Sequence, residues 1–167
     1  MSQSSTARTG VSPAILIKHS VTLTPKERVA AGDQVAKLER KNFPASEGFD
    51  YDVELRKKSI GLILAYKETT PNVIVAYLVY QRVKRVTWLH KLCVIEEERQ
   101  KGIGRCLVHA LRHQLESRGG ESICLWVDEH RRPAKALYDS LGFAQVEHRP
   151  DYYAPGRPGL KMKLAIQ

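Results

Sequence analysis

The stretch from Val86 to Asp128 restricts the fold most. VTWLHKLCVI (86–95) is an apolar run rich in β-branched and aromatic residues. Ile103, Leu107, Ala110, Leu111 and Leu115 then recur at helical spacing, and Gly119-Gly120 closes that helix. ESICLWVD (121–128) reads as a short buried strand. Strand, helix and strand in this order imply a parallel pair with a crossover helix. The joint between the first strand and the helix is Glu96-Glu97-Glu98-Arg99-Gln100-Lys101-Gly102-Ile103-Gly104-Arg105. A helix starting there offers unpaired N–H groups and the positive end of its dipole to an anion. The two glycines allow close approach of a ligand to the backbone, while Arg99, Lys101 and Arg105 add positive charge. A pyrophosphate is the natural guest. The run is not a Walker A loop, because no Gly-Lys-Ser/Thr follows. It is not a dinucleotide fingerprint either, because Leu107 stands at the third glycine position.

The remaining elements fall around this core. AILIKHS (14–20) reads as a first strand, and Thr24-Pro25-Lys26-Glu27 fits a capping box opening a helix that Phe43-Pro44 ends. Residues 45–58 are mixed and polar, with a short helix through Val53 and Leu55. GLILAYKE (61–68) and VIVAYLVYQ (73–81) read as a hairpin around a Thr-Thr-Pro-Asn turn, followed by a basic connection with Arg82, Lys84 and Arg85. PAKALYDSLGF (133–143) is a short helix ending at Gly142. A strand near 143–148, a Tyr/Pro/Gly-rich loop and GLKMKLAI (159–166) complete the chain. The predicted order is β-α-(α)-β-β-β-α-β-α-β-β.

Composition bounds the class of partner. The 167 residues suit one domain burying roughly 70% of the surface its unfolded chain exposes. The first thirteen, MSQSSTARTGVSP, lack the apolar core of a signal peptide and predict a disordered tail (1–13) before a single domain (14–167). No apolar run approaches a transmembrane length, so no membrane association is expected. Cys93, Cys106 and Cys124 lie in apolar stretches without metal-ligand spacing. They read as buried, reduced thiols of a cytoplasmic or nuclear protein, with no metal. The 27 Lys+Arg against 18 Asp+Glu, net +9, favour an anionic partner.

With Leu92-Cys93-Val94, Arg99-Gln100-Lys101-Gly102-Ile103-Gly104 and Ala134-Lys135-Ala136-Leu137-Tyr138-Asp139-Ser140-Leu141-Gly142-Phe143 in place, the chain resembles the GNAT family of acetyl-CoA-dependent N-acetyltransferases. That family's pattern is a strand ending L-x-V, then R/Q-x-x-G-x-G/A, then A-x-x-L-Y-x-x-x-G-F. The resemblance spans roughly residues 60–166. It implies an α/β (α+β) fold: a mixed sheet of six or seven strands, splayed in the middle and flanked by about four helices. It also implies acetyl-CoA as cosubstrate. The pantetheine would pair near Leu92, Cys93 and Val94, and the pyrophosphate would sit on residues 100–105, with Ala134 beside it. Tyr138 would be the general acid, in a direct attack through a ternary complex.

His90 is the best candidate base from its pKa, and strand alternation puts it on one face with Leu92 and Val94. Glu97, Asp128 and His130 read as solvated loop residues. The pattern departs from the family at three places. Glu96 replaces the usual proline, Arg131 replaces an asparagine and can reach a CoA phosphate, and Trp126 occupies the strand position where protein N-terminal relatives often carry a catalytic Glu or His.

For the acceptor, Asp151-Tyr152-Tyr153 before a Pro/Gly loop resembles ribosomal-protein alanine and other protein N-terminal acetyltransferases, where a tyrosine pair lines the peptide groove. Glu39, Phe43-Pro44 and Glu47 lean instead toward arylalkylamine or polyamine enzymes. Acidic residues at 47–52 and 96–98 predict an acidic acceptor entrance. A protein amine, N-terminal or lysine, is the preferred acceptor and a small amine the alternative. A non-catalytic acyl-CoA or nucleic-acid binding module is a distant third, since no stacking aromatics are interleaved with the basic runs. The chain would act as a monomer or homodimer.

Overall fold

The computed structural model describes residues 14–167. The tail expected over 1–13 lies outside the described residues. The strands are β1 (Ile15–His19), β2 (Ile60–Lys67), β3 (Thr70–Val83), β4 (Val86–Val94), β5 (Ser122–Asp128), β6 (Ala144–Ala154) and β7 (Arg157–Ala165). The helices are α1 (Pro25–Asn42), α2 (Tyr51–Glu54), α3 (Ile103–Glu116) and α4 (Arg132–Ser140). Their order along the chain is the one the sequence predicts. At the start of α1 the capping box forms: Glu27 N–H donates to Thr24 Oγ1 at 3.2 Å, and Thr24 N–H to Glu27 Oε2 at 2.7 Å.

All seven strands join one mixed sheet in the order β1-β2-β3-β4-β5-β7-β6. Every neighbouring pair is antiparallel except β4 and β5, which run parallel as the crossover requires. One face carries α3 and α4, whose Ile103, Leu107, Leu111, Leu115 and Tyr138 pack with Ile123, Leu125, Val127, Leu160, Met162 and Leu164. The opposite face carries α1 and α2, where Ala31, Val35 and Tyr51 pack on Leu62, Leu64, Tyr77, Val79 and Cys93.

Four expectations need correction. The β2–β3 turn is Glu68-Thr69, with Pro71 and Asn72 already inside β3. β6 runs to Ala154, so Tyr152 and Tyr153 belong to a strand and the turn is only Pro155-Gly156. Cys106 is exposed in the first turn of α3, while Cys93 and Cys124 are buried. His90 does not share a face with Leu92 and Val94, because β4 contains a bulge. The register steps from Val79 opposite Lys91 to Tyr80 opposite Leu89, which leaves His90 as the extra residue. Leu89, Leu92 and Val94 therefore pack toward α3, and His90 turns to the other face, 6.3 Å from the ring of Phe49.

Candidate active site

β4 and β5 pair only at Val86–Trp88 against Ser122–Cys124, and beyond these three positions the strands part. On its other edge β4 stays paired to β3 through Val94, so its far half offers unpaired backbone to whatever enters the gap. The gap opens at the carboxyl ends of two parallel strands, where open α/β sheets hold ligands. Phe43, Glu47, His90, Leu92, Trp126, Asp128, Arg131, Ala134, Tyr138, Tyr153 and Arg157 all line it.

At the end of β4 the chain turns through Gln100 (φ 63°) and Gly102 (φ 79°), two left-handed residues two positions apart, into α3. Such turns converge successive N–H groups on an anion, and the helix start adds its own. Gly102 has nothing within 4 Å of where a Cβ would sit, so the cradle is open there. Gly104 faces the sheet instead: its Cβ would lie 3.4 Å from Leu137 and 3.7 Å from Leu92. Ile103 is buried and anchors the turn.

The side chains around this turn are more engaged than the sequence suggests. Arg99 folds back, with Nε donating to Val94 O at 2.9 Å and Nη2 to Asn42 Oδ1 at 3.1 Å. It ties the strand end to the end of α1. Lys101 pairs with Glu98 at 3.1 Å, and Arg105 donates to Ser140 Oγ at 2.6 Å, joining α3 to α4. Backbone N–H groups are thus the main donors the turn offers to an anion, with Lys101 and Arg105 exposed at its rim. Glu98 also pairs with Lys67 at 2.7 Å, and that contact, then Lys101, holds its carboxyl below the usual range. Of the acidic 96–98 run, Glu98 is thus turned to the basic side chains beside the turn, while Glu96 and Glu97 are exposed.

Tyr138 projects from α4 into the gap, 6% exposed, with Phe143 edge-on at 5.5 Å. Burial pushes its phenol well above the ordinary value, and the nearby Arg131 only partly counters this. His90 Nε2 lies 2.9 Å from Gln81 Oε1, an arrangement in which Nε2 carries the proton and Nδ1 is left to accept one. Burial lowers the imidazole pKa from 6.5; Glu54 raises it and Lys91 lowers it further.

The acceptor wall is built by pairs the sequence could not disclose. Glu39 is buried at the end of α1, where it accepts from Tyr51 O–H at 2.7 Å and Phe49 N–H at 3.0 Å. It also pairs with Lys91 at 2.8 Å. Lys91 additionally donates to the carbonyl of Glu47 and lies 4.7 Å over the ring of Phe43. The loop carrying Phe43 and Glu47 is therefore clamped to β4. Asp128 is not a solvated loop residue: it is 7% exposed, 2.9 Å from Arg157. Arg157 also reaches Glu47 at 3.1 Å. Burial raises the Asp128 carboxyl, but the His130 N–H and Arg157 outweigh it and hold the carboxyl below 3.8. Arg131 lies 4.9 Å over Phe43. Trp126 stacks on Tyr152 at 4.1 Å with the rings 13° from parallel, and Tyr153 meets Tyr152 edge-on at 4.9 Å.

The gap thus brings His90, Leu92, Ala134, Tyr138, Phe43, Glu47 and Tyr153 together, while Tyr152 stands behind Trp126. Arg157, Lys91 and the wall-forming role of Trp126 escaped the sequence reading. Trp126 alone left a signal, as a large aromatic at a position where relatives carry a catalytic side chain.

Comparison with known proteins agrees with this architecture. A family model described as Acetyltransferase (GNAT) family matches residues 32–143. The [Ribosomal protein bS18]-alanine N-acetyltransferase of Haemophilus ducreyi is 33% identical over 90 residues, which cover 54% of this chain and 62% of that protein. An N-alpha-acetyltransferase of Saccharolobus solfataricus is 28% identical over 144 residues, 78% of this chain and 84% of that one. In fold, the crystal structure of the ribosomal-protein-S18-alanine N-acetyltransferase from Escherichia coli superposes with TM-score 0.74 at 23% identity, covering 92% of this chain and 95% of that one. The splayed sheet, the glycine-led helix and the matched span together make this chain a member of the acetyltransferase (GNAT) family.

Proposed function

We propose that the protein transfers the acetyl group of acetyl-CoA to a protein amine, the α-amine of an N-terminus ahead of a lysine, by direct attack in a ternary complex. The observation that carries this reading is the parted β4–β5 edge, onto which a phosphate-type turn, a buried phenol and an aromatic wall all converge. The free edge of β4 at Leu92–Val94, apart from the Val94 carbonyl that Arg99 already engages, matches the amides of a pantetheine arm, and the N–H groups of residues 100–105 match its pyrophosphate. N–H groups near Cys93 and Val94 polarise the thioester carbonyl and support the oxyanion. As the new C–N bond forms and the C–S bond breaks, Tyr138 hands its proton to the departing thiolate. His90 Nδ1, neutral at neutral pH, takes the proton the amine must lose, directly or through water. Tyr153 and the Trp126–Tyr152 stack give the acceptor backbone a rigid wall with hydroxyls.

The relatives named for ribosomal-protein alanine and N-alpha acetylation support a protein N-terminus over other amines. The aromatic lining of Phe43, Trp126 and Tyr153 favours an arylalkylamine as the second reading. A thiol-release screen separates them: short peptides of varied N-terminus, N-blocked lysine peptides, polyamines and arylalkylamines, each with acetyl-CoA. Turnover is expected with free peptide N-termini. Turnover confined to small amines would replace this substrate, and no binding of acetyl-CoA would remove the enzyme reading altogether.

A further inference from the structure

On the face that carries α1 and α2, the apolar cluster beneath those helices draws on β2, β3 and β4 only. Past β4 the same face continues over β5, β7 and β6 and presents cations alternating with aromatic rings. Lys161 Nζ lies 5.3 Å over Trp88, and the Arg149 guanidinium lies 5.0 Å over Trp126. Lys161 is the cross-strand partner of Trp126, and Lys163 that of Cys124. Neither lysine is in an ion pair among the described residues; Arg149 pairs with Glu147 at 2.7 Å on the surface.

We propose that this face receives an acidic stretch of the acceptor polypeptide, just downstream of the amine to be acetylated; the inference rests on the acetyltransferase reading above. Continuity is one argument. Trp126 lines the catalytic gap and is also the first ring of the exposed face, so a chain leaving the gap passes directly onto it. Strands lie about 4.8 Å apart and an extended chain advances about 3.4 Å per residue. Lys161 on β7 and Arg149 on β6 therefore fall roughly one and three residues past the point where an extended acceptor leaves Trp126.

Charge is the other argument. Three carboxylates near the gap are engaged internally: Glu47 and Asp128 on Arg157, and Glu98 on Lys67 and Lys101. On the exposed face Glu147 lies across from Lys161 but is engaged by Arg149, so Lys161 and Lys163 are left without an ion-pair partner among the described residues, and cations resting on ring faces are held in place before a carboxylate arrives. Nucleic acid is the less favoured occupant. The rings already carry protein neighbours, Tyr152 and Arg149 on Trp126 and Lys161 on Trp88, which takes up the faces a base would stack on.

The test uses the full chain, acetyl-CoA and three peptides that share one N-terminal dipeptide followed by three Glu, three Gln or three Lys. At low salt the Glu peptide should exceed the Gln peptide in kcat/KM roughly fivefold to tenfold, mainly through KM. The ratio should shrink toward one in about 0.5 M salt. The double variant Lys161→Glu with Lys163→Glu should reverse the order, making the Lys peptide the best of the three. Equal kcat/KM for the three peptides overturns the inference while leaving the acetyltransferase reading intact. So does an order of preference that the double variant retains, whatever its absolute rate. Saturable binding of a single-stranded RNA oligonucleotide that the double variant loses, without peptide preference, reassigns the face to nucleic acid. Absence of turnover with every peptide removes the underlying reading and this inference with it.

Discussion

Desolvation sets the resting protonation state of the two side chains proposed to react, completely at Tyr138 and in part at His90. Tyr138, 6% exposed, has its phenol pushed up by desolvation, so it stays protonated at neutral pH, the state the proposed acid role requires. Tyr138→Phe keeps the ring against Phe143 and loses only the hydroxyl. It should lower kcat about a hundredfold, with acetyl-CoA affinity and melting temperature nearly unchanged, read by steady-state thiol release and thermal unfolding. A tyrosine that merely packs would leave kcat in place. His90 is shifted the opposite way for a base, below 6.5, chiefly by desolvation. Its neutral form therefore prevails at neutral pH, and kcat/KM should rise with pH through an apparent pKa below 6.5 and then level off. His90→Gln should erase that acidic limb. Linkage gives the same direction for stability. The unfolded chain binds this proton more tightly, so the contribution is present above 6.5 and lost as pH falls through the folded value.

Among the elements, the loop between α1 and α2 is held largely from outside itself. Lys91 fixes it from β4, through the buried pair with Glu39 and the carbonyl of Glu47. Breaking a buried pair from one side strands the other charge. Lys91→Met should therefore destabilise the protein by about 3 kcal/mol and raise the acceptor KM, measured by urea unfolding and peptide kinetics. Adding Glu39→Leu should recover part of that loss, because no unpaired carboxylate then remains. A Lys91→Met protein as stable as the parent would show that the pair clamps nothing. This clamp also marks the limit of what the sequence discloses. Element order and the capping box at Thr24 were legible from local periodicity and turn residues, and the splay of the sheet from the family resemblance alone. The bulge at His90 was not, since alternation assumes a period of two and a bulge is a property of two paired strands. The reach of β6 to Tyr152 was hidden by its Pro and Asp content. Arg157 reaches Asp128 from 29 positions away and Glu47 from 110, separations at which no sequence pattern assigns partners.

At the scale of the whole molecule, the sheet is two blades hinged on three parallel pairs. β1–β4 form one blade, and β5, β7 and β6 the other. α3 packs under β1–β4 and α4 against β5, and their buried residues join one apolar core that runs through both blades. At the open end the connections are sparse: Arg157 to Glu47, and Arg131 over Phe43. On the proposed reading, a cosubstrate lying in the gap would add backbone hydrogen bonds to the β4 edge and phosphate contacts to the start of α3, a wedge between the blades. Its binding free energy is then stability, rising as RT ln(1 + [L]/Kd), about 2.7 kcal/mol at a hundredfold excess over Kd. The expected result is a melting temperature that climbs with acetyl-CoA concentration. Hydrogen-exchange protection should be gained chiefly at Lys91–Val94 and at residues 100–105, with Leu107–Leu115 little changed. Arg157→Gln removes one of the two ties across the open end. It should lower the melting temperature without acetyl-CoA and enlarge the increment that saturating acetyl-CoA restores. Protection spread evenly over both blades, with the same increment in Arg157→Gln, would mean that the open end is already rigid and the wedge adds nothing there.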